Sequence, residues 1–164
     1  MTDLIERLAI LRQKTDGLRL YVLLDGAQYL QHRGERMTEA EGRYALFAGT
    51  PDAPLSHVGP WLIDAETIGE SSLHDLIAME REIPALTWII APQTLDGLAQ
   101  LLQLNLNLRL PDGRTALLRF WDPRVLVTLA DVLTAEQRYA FFGRIYEWHL
   151  LHEGRRVWIG RHHA

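Results

Sequence analysis

Short apolar runs alternate along the chain with stretches of helical spacing, and the two patterns divide it into strands and helices in turn. Leu4, Ile5, Leu8 and Leu11 share one helical face behind Thr2 or Asp3 as a cap, with Glu6 near the capping-box position, so a helix opens the chain and ends by Asp16-Gly17. Leu18 to Leu24 reads as a strand. Its later residues are continuously apolar, which places it centrally in a sheet, and Asp25-Gly26-Ala27 closes it. A polar stretch from Gln28 to Glu41 predicts a short helix and loop, followed by a short strand at Arg43 to Phe47 and turns at Ala48 to Pro54. Val58 to Ile63 predicts a further strand, with Pro60 confined to a sheet edge or to the strand's start.

Ser71 or Ser72 is expected to cap a helix through Leu73, Leu76, Ile77 and Met79-Glu80, ending at Pro84. Leu86 to Ala91 is the second strongly apolar strand, stopped by Pro92. Thr94 then caps a helix carrying Leu95, Leu98, Leu101 and Leu102. Beyond it the period changes. Leu106, Leu108 and Leu110 alternate with polar residues, and Pro111-Asp112-Gly113 turns the chain into Thr115 to Trp121, a hairpin pattern.

Within that second arm, Leu117, Leu118, Phe120 and Trp121 suit a mostly buried strand, and the apolar run then breaks at Asp122-Pro123-Arg124. Asp122 can cap a new helix and Pro123 suits its first turn, with Val125, Leu126, Leu129 and Val132 on the apolar face. Thr134 with Gln137 forms a capping box for a last helix bearing Tyr139, Phe141 and Phe142, and Gly143 ends it. Ile145 to Leu150 and Arg156 to Gly160 form a final hairpin about Glu153-Gly154. The fold expected is one α/β domain over residues 1–164, with α+β as the variant: an apolar sheet of the strands at Leu18, Trp61, Trp88, Leu118 and Ile145, covered by helices.

Composition narrows the chemistry. The chain of 164 residues contains no cysteine, so disulfides, thiolate nucleophiles and cysteine-ligated zinc are excluded, in keeping with a reducing cytoplasm. Its start lacks the basic and apolar regions of a signal peptide, and no stretch reaches the roughly 18 apolar residues of a membrane span, so a soluble protein with no membrane partner is expected. The net charge of −4 divides into −7 up to Leu108 (8 basic, 15 acidic residues) and +3 from Arg109 onward (9 against 6). That basic excess is too small to indicate nucleic acid.

Arg119 stands in a run expected to be buried, where a guanidinium needs a partner, and Asp122 is its nearest candidate. Arg119, Asp122 and Arg124 then either fix the strand-to-helix junction or form an anion-binding or partner-docking corner. Asp25 occupies a position where α/β proteins place functional carboxylates, and where helix caps are also common. The seven histidines do not assemble a recognisable metal motif: His149 and His152 are three apart on a strand without a matching carboxylate cluster, and His162-His163 lies at the terminus. Nucleotide-binding glycine loops, a nucleophile elbow and histidine-glutamate zinc motifs are missing too. No catalytic, cofactor-binding or metal residue is assigned, and a binding module is expected.

In order and spacing, several pieces resemble one family: Tyr21 to Ala27, Tyr44 to Thr50, Gly59-Pro60-Trp61-Leu62, Leu110 to Gly113, Arg119-Phe120-Trp121-Asp122-Pro123-Arg124-Val125-Leu126 and Phe141-Phe142-Gly143. That family is a bacterial domain-of-unknown-function family whose members serve as type VI secretion effector chaperones, or adaptors. The resemblance runs from about Leu18 to Trp148 and omits Glu153 to Ala164. It implies a non-enzymatic cytoplasmic protein, typically encoded between spike and effector, that binds a secreted toxin effector and helps load it onto a spike of the valine-glycine-repeat type. Asp25, Gly59, Pro60, Arg119, Trp121, Asp122, Pro123 and Arg124 match its signature, as structural or partner-binding residues. The competing reading is a small hydrolase or phosphate-handling enzyme using Asp25 and Asp122 with the nearby arginines, which requires these groups to converge on a pocket.

Overall fold

The two strongest apolar runs become adjacent strands at the centre of a six-stranded sheet. In the computed structural model, which describes residues 2–160, β1 (Arg19–Asp25) pairs on one side with β4 (Leu86–Ala91) and on the other with β3 (Pro60–Asp64). Beyond β3 lies the short β2 (Arg43–Ala45). Beyond β4 lies the C-terminal hairpin of β7 (Glu147–His152) and β8 (Arg155–Gly160), giving the order β2-β3-β1-β4-β7-β8. Every pair in this sheet is antiparallel.

Continuous apolarity in β1 and β4 follows from helices on both faces. On one side α1 (Thr2–Arg12) and α3 (Glu70–Glu82) bring Leu4, Leu8, Leu11, Leu76 and Met79 against Leu20, Val22, Leu24, Trp88 and Ile90. On the other, α4 (Leu95–Gln103), α5 (Pro123–Val132) and α6 (Ala135–Phe142) bring Leu98, Leu102, Leu126 and Phe142 against Tyr21, Leu23, Ile89, Trp148 and Leu150. Each such side chain taken from water stabilises the fold by about 1.5–3 kcal/mol. The result is a mixed α/β single domain. No described helix is long and apolar enough to cross a membrane.

Several expectations need correction. The strand expected at Leu118 does not join the sheet: β6 (Thr115–Leu117) pairs only with β5 (Asn107–Arg109), and the two form a separate ribbon with Leu108 and Leu117 exposed. From Leu118 the chain leaves extended conformation, because Phe120 N bonds Leu118 O and Asp122 N bonds Arg119 O, closing tight turns. Gly69, rather than Ser71 or Ser72, precedes the first residue of α3, and its carbonyl accepts from Leu73 N. Thr2 and Asp3 lie within the first turn of α1 rather than capping it. Val132, placed on the apolar face of its helix, is exposed. The Thr94 cap and the Thr134–Gln137 capping box form as expected. Pro60 is the first residue of β3, the one interior position where its missing N–H is tolerated. His162 and His163 lie outside the described residues.

Candidate functional site

Three segments that are distant in sequence meet where β1 ends and β3 begins, and the residues singled out from the sequence gather there. Asp25, the last residue of β1, is fully buried and caps α2 (Gly26–Arg33): its Oδ1 accepts from Ala27 N at 3.0 Å and Gln28 N at 3.2 Å. Gly26 N donates to Gly59 O at 2.9 Å, and Pro60 stands opposite Asp25 in the sheet register. Phe47, just beyond β2, lies over Gly59 and meets Trp121 edge-on, with ring centroids 5.6 Å apart. Trp121 thereby fastens the turn before α5 to the start of β3.

Gly59 is required by this close approach. A Cβ there would stand 2.4 Å from the Phe47 ring, which Trp121 holds in place, so Gly59→Ala should destabilise the fold by about 1–3 kcal/mol. Urea unfolding of the variant checks this, and an unchanged midpoint would remove the reason for glycine at this position.

The charges pair differently from the expectation. Arg119 is not buried, its side chain being 53% exposed, and it does not close on Asp122. Its Nη2 instead reaches Asp25 Oδ2 at 3.5 Å, across 94 sequence positions. Asp122 accepts from Arg124 N and Nε at 3.0 Å each and from Nη2 at 2.8 Å, so a single residue supplies both its helix-cap donor and its ionic partner. The junction therefore holds two arginines outward, each backed by a buried carboxylate. Gln28 completes the corner: its Nε2 donates to Pro84 O at 2.6 Å and lies 3.5 Å from Asp25 Oδ2.

The two carboxyls are pushed in opposite directions. Burial raises Asp25 above the ordinary carboxylate value, opposed by the Gln28 backbone N–H and the Arg119 charge. Burial acts the same way on Asp122, but the Arg124 hydrogen bonds outweigh it and hold that carboxyl below its ordinary value. Such divergence is a property of acid–base pairs. Here, however, both oxygens of Asp122 are held by Arg124, and Asp25 Oδ1 is occupied by two backbone donors. What the arrangement performs is the joining of α2, β3 and α5 into one corner.

A second polar cluster lies on the α1 side of the sheet. Glu147 and His149 are two apart on β7 and so share a face, with His149 Nε2 2.9 Å from Glu147 Oε2. Arg7 of α1 closes on the same carboxylate, with Nε at 3.2 and 3.0 Å from its two oxygens. The carboxylate partner of His149, which the sequence analysis did not name, is thus its neighbour at i−2. Among the described residues no group of three or more His, Asp or Glu side chains is arranged to hold a metal ion.

Compared with known proteins, residues 20–140 match the model of the family described as Domain of unknown function (DUF4123). Neither a curated protein nor a solved structure matches the chain. The matched span contains the whole corner, from Asp25 through Gly59 and Pro60 to Arg124, and stops before β7 and β8. On that match the chain belongs to the DUF4123 family.

Proposed function

We propose that the protein is a non-enzymatic chaperone, or adaptor, which binds a type VI secretion effector in the cytoplasm and helps load it onto a spike protein of the valine-glycine-repeat type. The observation that carries this reading is the way the signature corner is used. Asp25 and Asp122 each cap a helix and pair with an arginine, so the residues that carry the resemblance support architecture instead of presenting a reactive group. The surface, in contrast, carries large apolar and aromatic side chains: Leu104, Val132, Tyr139 and Trp158 are all exposed. These are groups that gain free energy when a partner covers them. The hydrolase reading would need a free carboxylate in a concave site, and the engaged oxygens of Asp25 and Asp122 give it no support.

The test is to express the tagged protein together with the genes on either side of its own and to identify by mass what remains bound through a high-salt wash. A stoichiometric toxin-like partner is the expected result. An empty column from a folded, soluble sample would overturn the proposal.

A further inference from the structure

We infer that the apolar face of the β5–β6 ribbon is the docking surface for an acidic amphipathic helix of the effector; this rests on the chaperone reading above. The ribbon stands outside the six-stranded sheet, and among the described residues its strands pair with each other alone, from Asn107 opposite Leu117 to Arg109 opposite Thr115. Neither strand packs extensively against another described helix or strand. A two-stranded ribbon by itself is marginal in water, and a helix laid on its apolar face is one way to complete it.

The register decides which side chains such a helix would meet. Leu118 N donates to Leu106 O at 2.7 Å and Leu110 N to Arg114 O at 2.8 Å, so the pairing of Leu108 opposite Ala116 continues in both directions. Opposed residues share a face, and so do residues two apart on one strand, which puts Leu106, Leu108, Leu110, Ala116 and Leu118 on the same side. At the base of this stripe Leu106 is buried in the core that Phe120 and Trp121 occupy, and Leu118 packs against it. Leu108, one step outward, is 47% exposed. The apolar surface of the core thus runs out along the ribbon into solvent. From Leu106 to Leu110 the stripe is about 13 Å long, roughly two turns of helix.

Charge selects the occupant. From Asn105 to Trp121 the sequence carries Arg109, Arg114 and Arg119 and a single carboxylate, Asp112, which Arg114 Nε holds at 2.7 Å. This stretch is therefore basic within a chain of net charge −4. Arg114 stands opposite Leu110 at the outer end of the stripe and is 77% exposed; Arg119 follows Leu118 at its base and is 53% exposed. Guanidiniums at both ends of an apolar stripe fit a helix whose apolar residues recur at three- and four-residue spacing, with Asp or Glu on either side.

Hydrogen–deuterium exchange of the purified complex with the co-expressed effector tests the assignment. Amides in 107–117 should slow on the order of tenfold or more relative to the free protein. Leu108→Asp puts a carboxylate on the stripe where the side chain is already half in water, so it should keep the wild-type unfolding midpoint and weaken effector capture on the order of tenfold. Should that variant unfold, the exchange measurement on the wild-type complex decides alone. A photo-reactive phenylalanine analogue in place of Leu108 should attach to one effector peptide, whose sequence shows apolar residues at helical spacing flanked by Asp or Glu. Full capture by a folded Leu108→Asp variant, unchanged exchange in 107–117, attachment to a segment without acidic residues, or a ribbon protected by a second copy of the chain in the effector-free protein would overturn the ribbon assignment and leave the chaperone reading standing. A wild-type column without effector would overturn both.

Discussion

Truncation of Phe120 to alanine is expected to remove about 3–5 kcal/mol of stability, the range for a fully buried phenylalanine that leaves a cavity behind. The residue has no exposed surface and is the hub of an aromatic cluster: its ring lies edge-on to Trp121 at 5.8 Å, Phe141 at 5.5 Å and Trp148 at 6.4 Å. Those contacts tie the turn before α5 to α6 and to β7. The surroundings cannot collapse easily, because each neighbouring ring is itself fixed by another: Phe141 packs on Phe142 and Trp148, and Trp121 on Phe47. With a total stability on the order of 5–15 kcal/mol, the loss is a large fraction of the whole. Urea unfolding monitored by tryptophan fluorescence measures it, with Phe120→Leu expected to recover part of the deficit. A midpoint within error of wild type would mean that the cluster is not the joint it is described to be.

Glu147→Gln is the second large effect, about 2–3 kcal/mol. Breaking a buried ion pair commonly costs about 3–5 kcal/mol, and the value is lowered here because Arg7 is 39% exposed and can be rehydrated. The pH dependence is more diagnostic than the magnitude. Burial alone would raise the Glu147 carboxyl, but His149 and Arg7 bring it down to about 2 from an ordinary 4.5. A depressed carboxyl stabilises the folded state above its unfolded value, and that contribution is lost as pH falls from about 5 toward about 2. Wild type and variant should therefore converge in stability over that interval. Asp25 has the opposite sign: its raised carboxyl favours the folded state at low pH and loses that contribution as pH rises past the ordinary aspartate value. Because Asp25 is present in both proteins it cancels in the difference. Paired unfolding curves from about pH 2 to about pH 6 provide the check, and a gap that stays constant with pH would rule out the ionised pair as its source.

The contrast between these two sites shows what a single sequence discloses. Strands β1 and β4, the cap at Thr94 and the box at Thr134 and Gln137 were legible because each depends on residues within one element. So was the β7–β8 turn, where Glu153 and Gly154 take positive φ of 50° and 73°. The Arg119 partner was not legible. Proximity in sequence favours Asp122, but the chain turns out of extended conformation at Leu118, Arg124 saturates Asp122 from two residues away, and Arg119 is left facing a residue 94 positions earlier. Nothing local encodes that meeting. The Glu147–His149 pair is a different case, since two residues apart on a strand share a face and the signal was present in the sequence. The corner itself could be anticipated only as a set of residues. Its geometry depends on the Phe47 ring over Gly59, which brings β2, β3 and the turn before α5 together.

The sheet order also determines when the chain can fold. β4 lies between β1, some 60 residues before it, and β7, whose pairing with it begins only at Glu147. A nascent chain must therefore extend at least through His149 before Trp88, Ile89 and Ile90 acquire their second neighbour. Pairings this distant close slowly, and until they do the bare apolar margin of β4 is open to misassociation. The span shared with the family, 20–140, ends before Trp148 and begins after α1. Released on its own it would lack a flank of its central sheet and one ring of the Phe120 cluster, so the matched span is smaller than the packed unit it belongs to.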